Sequence, residues 1–174
     1  MTQFAPDSAT LAQSSSNDLL PLEFCCFDAF EVGVLPVLRH FLFALSHPER
    51  QSWQLAYKIA AERWGEVPGL SIANLLFKTI RFVVEARSGS FAVVDPLCLK
   101  DRDRVTRDEV AFLRMLHHMR RDDTAQARDA VADLTQGTMD PNVIRSGLSF
   151  AHRYSCGQSG APVRPPQLRI VSAG

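Results

Sequence analysis

The segment between residues 70 and 87 has the most regular pattern of apolar and polar positions in the chain. Its polar residues recur at intervals of three and four: Ser71, Asn74, Lys78, Arg81 and Glu85. Apolar residues fill nearly all the positions between them. This pattern predicts a helix with one polar stripe, and a helix so apolar must be surrounded by other helices or by a partner. We therefore expect residues 70–87 to form the hub of the fold, with Phe77, Ile80 and Val84 in the core or at an interface.

Two helical segments precede this hub. Residues 19–45 are mostly apolar but contain a Gly-Val-Leu-Pro break at residues 33–36. Proline has no amide hydrogen and its ring clashes with the preceding turn, so the break predicts one bent helix or two short ones. The next helix is expected to begin near Pro48 and to end at Gly65, with residues 68–69 forming the turn into the hub. Its apolar side carries Trp53 and Trp64, which we also assign to the core or an interface.

Short motifs mark the helix ends in the second half of the chain. Thr106 and Glu109 form a capping box, in which each side chain accepts a hydrogen bond from the other residue's amide, so a helix is predicted from there to about residue 121. Asp122 or Asp123 begins the next helix, which runs through residue 134 and stops at Gly137. An Asp-Pro pair at residues 140–141 begins a last helix to about residue 154. Between the hub and these helices, residues 90–99 predict one short strand or an ordered connection.

The two ends of the chain differ from its middle. Residues 1–18 are polar without an apolar period, and residues 155–174 are rich in Gly and Pro. Both compositions are typical of flexible segments. We therefore predict a disordered tail at 1–18, an all-helical domain at 19–154 and a flexible tail at 155–174. The predicted fold class is all-α, a single compact helical bundle of five to seven helices.

Composition and charge exclude several classes of protein. The chain is 46% hydrophobic and 22% charged, which is ordinary for a folded globular protein. Its formal net charge is zero, so no global field draws it to nucleic acid or to a membrane surface. Ionisable residues within the apolar segment 24–45 make membrane insertion costly, and the N-terminus has no secretory signal. We expect a cytoplasmic protein, and the preference for Arg over Lys suggests a GC-rich bacterial genome.

Motifs for catalysis and metal binding are sparse. The sequence has no Gly-rich phosphate loop, no Gly-x-Ser-x-Gly elbow and no Glu-x-x-His pair. His117 and His118 are adjacent, and adjacent imidazoles on a helix diverge, so we predict no metal site there. The cysteines match neither a disulfide framework nor a zinc site, and free thiols are expected at Cys25, Cys26, Cys98 and Cys156. We therefore expect neither a metal nor a cofactor.

Asp28 and Glu31 are the weak candidates for acid–base chemistry. They lie three residues apart on one face of an apolar segment, where burial would raise their pKa values. The alternative is that they line the solvent edge of an amphipathic helix and pair with Arg39 or a neighbour. We favour this alternative, because structural ion pairs also perturb carboxylates.

One charge pattern suggests a binding function. Arg107, Arg114, His118 and Arg121 are spaced seven, four and three residues apart, which places them on one face of a helix. This basic stripe, together with the basic segment after residue 141, could bind phosphate groups. The alternative is that the stripe pairs with the acidic helix that follows it in an antiparallel hairpin, which would leave little net field. We favour the pairing.

Three classes of function remain. The first, which we favour by elimination, is a non-enzymatic interaction or regulatory module that binds a protein partner, or a second copy of itself as a homodimer, through an apolar face. The second is a nucleic-acid-associated regulator that uses the basic stripe. The third is a small-ligand enzyme without a recognisable motif, with Asp28, Glu31 or His118 as its candidate residues.

Overall fold

The computed structural model describes residues 19–156, and these fold into six α-helices with a minimal sheet. The helices are α1 (Ala29–Ser46), α2 (Trp53–Trp64), α3 (Glu66–Ala86), α4 (Arg107–Arg120), α5 (Thr124–Leu134) and α6 (Pro141–Arg153). Two-residue strands, β1 (Leu20–Pro21) and β2 (Arg104–Val105), pair antiparallel. The predicted all-α bundle of five to seven helices is confirmed. The predictions for residues 1–18, and for residues 157–174 of the second tail, lie outside the described residues.

The segment 70–87, which we predicted to be the hub, forms most of α3 and packs against α1, α2 and α6, but α1 is the more deeply buried helix. Nearly every residue between positions 31 and 43 is buried, and α1 packs against α2, α3 and α4. In α3 the fully buried positions form a single stripe. The apolar residues beside its polar stripe, such as Leu75 and Phe82, are only half-buried. The sequence pattern did not show this difference in burial, because α1 contains ionisable residues that are paired inside the fold, whereas α3 leaves apolar residues partly exposed.

Of the two predicted alternatives, one bent helix or two short ones, the structure has a single helix, since α1 continues through Pro36. It also begins ten residues later than residue 19, because residues 20–25 form β1 and a short 3-10 helix instead. The N-terminus of α1 is set by a capping box between Asp28 and Glu31. A proline inside a helix removes one hydrogen bond, and burial of Val34 and Leu38 among the neighbouring helices offsets that cost.

The junction between α2 and α3 is a single residue. Gly65 has φ of +89°, a conformation that L side chains rarely adopt, and it ends α2 as predicted. The turn predicted at residues 68–69 does not exist, because α3 already begins at Glu66. Gly69 is needed for close packing instead: a Cβ there would lie 2.2 Å from the carbonyl oxygen of Ala60 in α2.

The connection between α3 and α4 is ordered, one of the two predicted alternatives, and the first turn of α4 holds it in place. The capping box of Thr106 and Glu109 is present as predicted. The Asp108 carboxylate accepts two hydrogen bonds from Arg87, both at 3.0 Å, and one from the amide of Ala92. Glu109 pairs with Arg39 of α1 at 2.8 Å and is fully buried. The loop is therefore fixed by these charged side chains together with the short β1–β2 pair near its end.

The last two helices begin at the predicted caps. The Asp123 side chain accepts a hydrogen bond at the start of α5, and the Asp140 side chain accepts two at the start of α6. Helix α5 packs mainly on α4, whereas α6 packs on both α3 and α4. Helix α6 therefore joins α3 to α4, as α1 also does.

By length and composition alone, α1 and α3 are apolar enough to cross a membrane. Helix α1 has most of its residues buried against other helices, which is the ordinary position of a core helix with this composition. The two helices therefore give no evidence of a membrane protein.

Candidate functional site

Helix α6 presents three different faces, and the two that are not fully buried form the candidate functional site. Its inner face is anchored by Val143, Phe150 and Ala151, which are buried. One flank carries Ile144 and Leu148, four residues apart, and the other carries polar side chains. Residues three or four apart lie on the same side of a helix, so each flank is a continuous surface.

The apolar flank of α6 faces α5 across the end of α4 and forms what we call the apolar groove. Its lining consists of Met119, Asp122, Asp123, Thr124, Ala127, Arg128, Val131, Met139, Ile144 and Leu148. Leu148 and Met139 are 50% and 40% exposed, although both are large apolar residues. The groove has a volume of about 170 Å³. Ligand sites for drug-sized molecules occupy roughly 300–1,000 Å³, so the groove suits one or two apolar side chains better than a free metabolite.

The polar flank of α6 faces α3 and forms a second depression, which we call the basic furrow. It consists of two hollows that share Leu75 and Ser149 and therefore adjoin. Across both hollows the lining comprises Leu75, Lys78, Phe82, Asn142, Arg145, Ser146, Ser149, His152 and Arg153. No carboxylate lines either hollow within residues 19–156.

The cations of the basic furrow have no acidic partner in the described part of the chain. No carboxylate oxygen there lies within 4.0 Å of the side-chain nitrogens of Lys78, Arg145, His152 or Arg153. The nearest acidic residue on α3, Glu85, already pairs with Arg81 at 2.8 Å. The furrow therefore has a local positive charge although the whole chain is neutral.

Asp28 and Glu31 belong to a closed ion cluster that joins the N-terminus of α1 to the C-terminus of α4. Glu31 is 1% exposed, and it accepts hydrogen bonds from Arg120 at 2.6 Å, Arg121 at 2.7 Å and His117 Nδ1 at 2.8 Å. Asp28 accepts from the same two arginines at 2.9 and 3.1 Å. Glu31 therefore lies inside the protein, and the solvent edge we predicted for it is wrong.

The electrostatics of this ion cluster oppose an acid–base role. Burial alone would raise the pKa of Glu31, but hydrogen bonds from His117, the Asp28 amide and Arg121 hold it below its ordinary value. Burial likewise would raise the pKa of Asp28, and hydrogen bonds from the Glu31 amide, Arg120 and Arg121 lower it. Both carboxylates are thus stabilised as anions with their oxygens already bonded. We interpret the cluster as a structural link between α1 and α4. Its carboxylates have lowered pKa values, whereas a general acid at neutral pH would require a raised pKa.

The predicted basic stripe is divided by the fold. Arg107 and Arg114 are exposed on α4 and have no carboxylate within 4.0 Å among residues 19–156. Arg121 binds Asp28 and Glu31, and His118 Nδ1 lies 3.3 Å from Asp123. Helices α4 and α5 do pack together, but the one contact from the stripe to the acidic segment is His118 with Asp123.

The five residues assigned to the core or an interface have different environments. Ile80 is buried, and Phe77, Val84 and Trp64 are half-buried. Trp53 is 46% exposed and is not a core residue; it is the first residue of α2, and its ring packs edge to face with that of Tyr57. Whether any of these residues forms an interface remains a prediction.

Histidines and cysteines do not assemble a reactive centre in the described region. Cys25, Cys26, Cys98 and Cys156 are free thiols, and burial raises the pKa of Cys25. Residues 19–156 contain no group of three or more His, Cys, Asp or Glu side chains arranged to hold a metal ion. The thiol of Cys25 is thus kept protonated, which disfavours nucleophilic chemistry there.

Sequence reasoning missed both flanks of α6 although their signals are present. Ile144 and Leu148 recur at a spacing of four, and Arg145, Ser149 and Arg153 recur at the same spacing one position later. Two periodic rows, one apolar and one polar, are offset by one residue and therefore point in different directions. The partner of the polar row, Lys78 on α3, could not be found this way because it is 67 positions before Arg145 in the chain.

Comparisons of the chain with protein-family models, with curated proteins and with solved structures gave no significant match.

Proposed function

We propose that this protein is a non-enzymatic, cytoplasmic helical interaction module that binds a short segment of a partner protein in the apolar groove. The observation that carries the proposal is the uncovered apolar row of α6 facing the apolar side of α5, with Leu148 half exposed at its centre. Uncovered apolar grooves of this kind commonly receive one face of an amphipathic helix.

The lining residues favour a partner segment with an apolar anchor. Met119 and Met139 contribute flexible, polarizable side chains, which adapt to anchors of different shape. A cavity of about 150 Å³ can hold one benzene molecule, so the groove volume matches one ring or one branched aliphatic side chain. The proposed occupant therefore carries Leu, Ile, Met or Phe as its anchor.

Charge at one end of the groove favours a basic residue beside that anchor. Asp122 and Asp123 lie at the α4–α5 junction, and Arg128 is the single cation in the lining. Asp123 is already close to His118, whereas Asp122 has no cation within 4.0 Å in the described region. A Lys or Arg about one helical turn from the anchor would reach Asp122.

The proposal can be tested by panning a random peptide library against the full chain, with the Leu148→Glu variant for counter-selection. We expect enriched peptides to combine an apolar pair at a spacing of three or four with one basic residue, and to shift the NMR signals of Met139 and Leu148. Leu55→Glu on α2 is the matched control, because Leu55 is 43% exposed and lies outside the groove. Peptides that bind wild type and Leu148→Glu equally would overturn the proposal.

Two other occupants would give different results. If sedimentation shows a concentration-dependent dimer that Leu148→Glu abolishes, a second copy of the chain covers the groove. If truncation after Cys156 shifts the groove signals in the absence of peptide, residues 157–174 of the same chain occupy it. Either outcome would replace the separate partner that we propose.

A further inference from the structure

The basic furrow carries an inference that is independent of the apolar groove. We propose that the furrow between α3 and α6 binds the backbone of a single-stranded nucleic acid, with Lys78, Arg145 and Arg153 contacting its phosphates. The observation beneath this proposal is a concave surface whose cations are unpaired in the described structure.

Uncompensated positive charge is the first argument. Among residues 19–156 the arginines beside the core are paired: Arg39 with Glu109, Arg87 with Asp108, and Arg120 and Arg121 with Asp28 and Glu31. Exposed arginines such as Arg107 and Arg114 are unpaired there, as the furrow cations are, but the furrow brings three unpaired basic side chains together in one depression whose lining has no carboxylate. Lysine and arginine in such a surface contribute binding energy by displacing the counterions of a polyanion.

The spacing of the cations favours a ligand with several phosphates along its length. Arg145 and Arg153 are eight residues apart on α6, which is about 12 Å at the helical rise of 1.5 Å per residue. The two arginines also line different hollows of the furrow, so a single phosphate ion in one hollow leaves the other unoccupied. A chain with repeated phosphates can occupy both, and Ser149, midway between the two arginines, adds a hydroxyl donor.

Apolar surface inside the furrow distinguishes a nucleic acid from a bare polyphosphate. Leu75 and Phe82 of α3 line the furrow and are half-exposed. Lys78 lies 6.0 Å from the centre of the Phe82 ring, so charge and aromatic surface occur together. Single-strand binding sites combine basic residues that follow the backbone with aromatic side chains that stack on bases.

The test measures binding of a fluorescein-labelled 20-nucleotide dT strand to the full chain by anisotropy, between 20 and 200 mM NaCl. We expect salt-dependent binding by wild type. The Arg145→Ala/Arg153→Ala variant should bind at least tenfold more weakly at 20 mM salt. Its slope of log K against log salt should also fall by about 1.4, since each lost phosphate contact on a single strand accounts for about 0.7.

The matched control is Arg107→Ala/Arg114→Ala, which removes two exposed arginines from α4. It should bind within twofold of wild type, and because both double variants retain residues 157–174, the arginines of that segment contribute equally to each. A second variant, Phe82→Leu, should weaken binding about fivefold without changing the salt slope, since stacking and not charge is lost. Thermal melting of every variant verifies that the fold is intact.

Three outcomes would overturn the inference. The first is no binding by wild type at 20 mM NaCl. The second is equal loss in the α4 control, which would place the phosphates on the predicted basic stripe. The third is a furrow that binds inorganic tripolyphosphate, with loss in the Arg145→Ala/Arg153→Ala variant, but does not bind the dT strand; that result would identify a polyphosphate ligand and exclude the nucleic acid.

Discussion

The two flanks of α6 share one backbone and have opposite chemistry. The flank toward α5 leaves Ile144 and Leu148 beside methionines, whereas the flank toward α3 places Arg145 in one hollow with Lys78 and Arg153 in the adjoining hollow. Each flank is only one residue away from the other along the helix. The difference shows that a single helix with a well-anchored inner face can support two independent surfaces, one for apolar contact and one for charge.

Both flanks depend on the buried inner face of α6, and a cavity in that face should have the largest effect on stability and binding. Phe150 is fully buried and packs against the rings of Phe30 and Tyr154. We expect Phe150→Ala to lower the free energy of unfolding by about 3–5 kcal/mol, measured by urea denaturation, because it leaves a cavity beneath α6. Binding at both surfaces should weaken together. Loss at one surface alone, in a folded variant, would contradict the shared anchor.

The next largest expected effect is a difference in how strongly salt weakens ligand binding at the two flanks. If three phosphates contact the furrow, raising NaCl from 50 to 200 mM should weaken binding of the dT strand about twentyfold. A peptide in the apolar groove should change its affinity by less than about twofold over the same range, because its anchor is apolar and salt screens only the contact with Asp122. Equal salt dependence in the two titrations would remove the distinction between the surfaces.

The ion cluster should make the free energy of unfolding depend on pH in the acidic range. The folded pKa values of Asp28 and Glu31 are lowered, so their stabilisation is complete above the ordinary values and is lost as the pH falls below about 4.5. Because Arg120 of this cluster also donates to the Tyr154 carbonyl at 2.7 Å, the loss should loosen the end of α6 that carries Arg153.

The measurement is urea unfolding between pH 3 and 7. Glu31→Gln should be less stable than wild type at pH 7 and should lose less stability on acidification. Asp129→Asn is the control, since Asp129 is exposed and has no ion-pair partner within residues 19–156. If the free energy of unfolding of Glu31→Gln fell with acidification as steeply as that of wild type, other carboxylates would set the pH dependence.

The smallest expected changes in stability come from two neighbouring substitutions, and these test most directly whether the two flanks of α6 are independent. Leu148 and Ser149 are adjacent and both exposed, so Leu148→Ala and Ser149→Ala should each change the free energy of unfolding by no more than about 0.5 kcal/mol. Leu148→Ala should weaken only the peptide, and Ser149→Ala only the dT strand. Titrating each of the two variants with each of the two ligands checks this. A variant that weakens the binding of both ligands would indicate one merged surface.

Much of the local structure follows from short stretches of sequence. The capping box at Thr106, the caps at Asp123 and Asp140 and the end of α2 at Gly65 were all predicted, because each depends on residues within a few positions. The sequence left two alternatives open at Pro36 for the same reason. Its local cost is real, but the surrounding helices that offset it cannot be seen in a short window.

The roles of the charged residues could not be predicted in this way. Glu31 and Arg120 are 89 positions apart, and Arg39 and Glu109 are 70 apart, yet both pairs are buried. Charge patterning suggested that the α4 stripe either binds phosphates or, as we favoured, pairs with the acidic helix after it. The fold instead directs Arg121 to α1, brings only His118 to Asp123 among residues 19–156, and leaves Arg107 and Arg114 exposed. The furrow likewise exists only because α3 and α6 meet.

The sequence by itself determined that this chain is helical and where most of its helices begin and end, because capping and apolar periodicity act over one or two turns. Only the tertiary structure decided that α1 is more deeply buried than α3, which charges neutralise one another and which flanks of α6 stay open. Those outcomes depend on which faces meet across long separations in the chain, where burial and pairing, rather than local propensity, set the free energy.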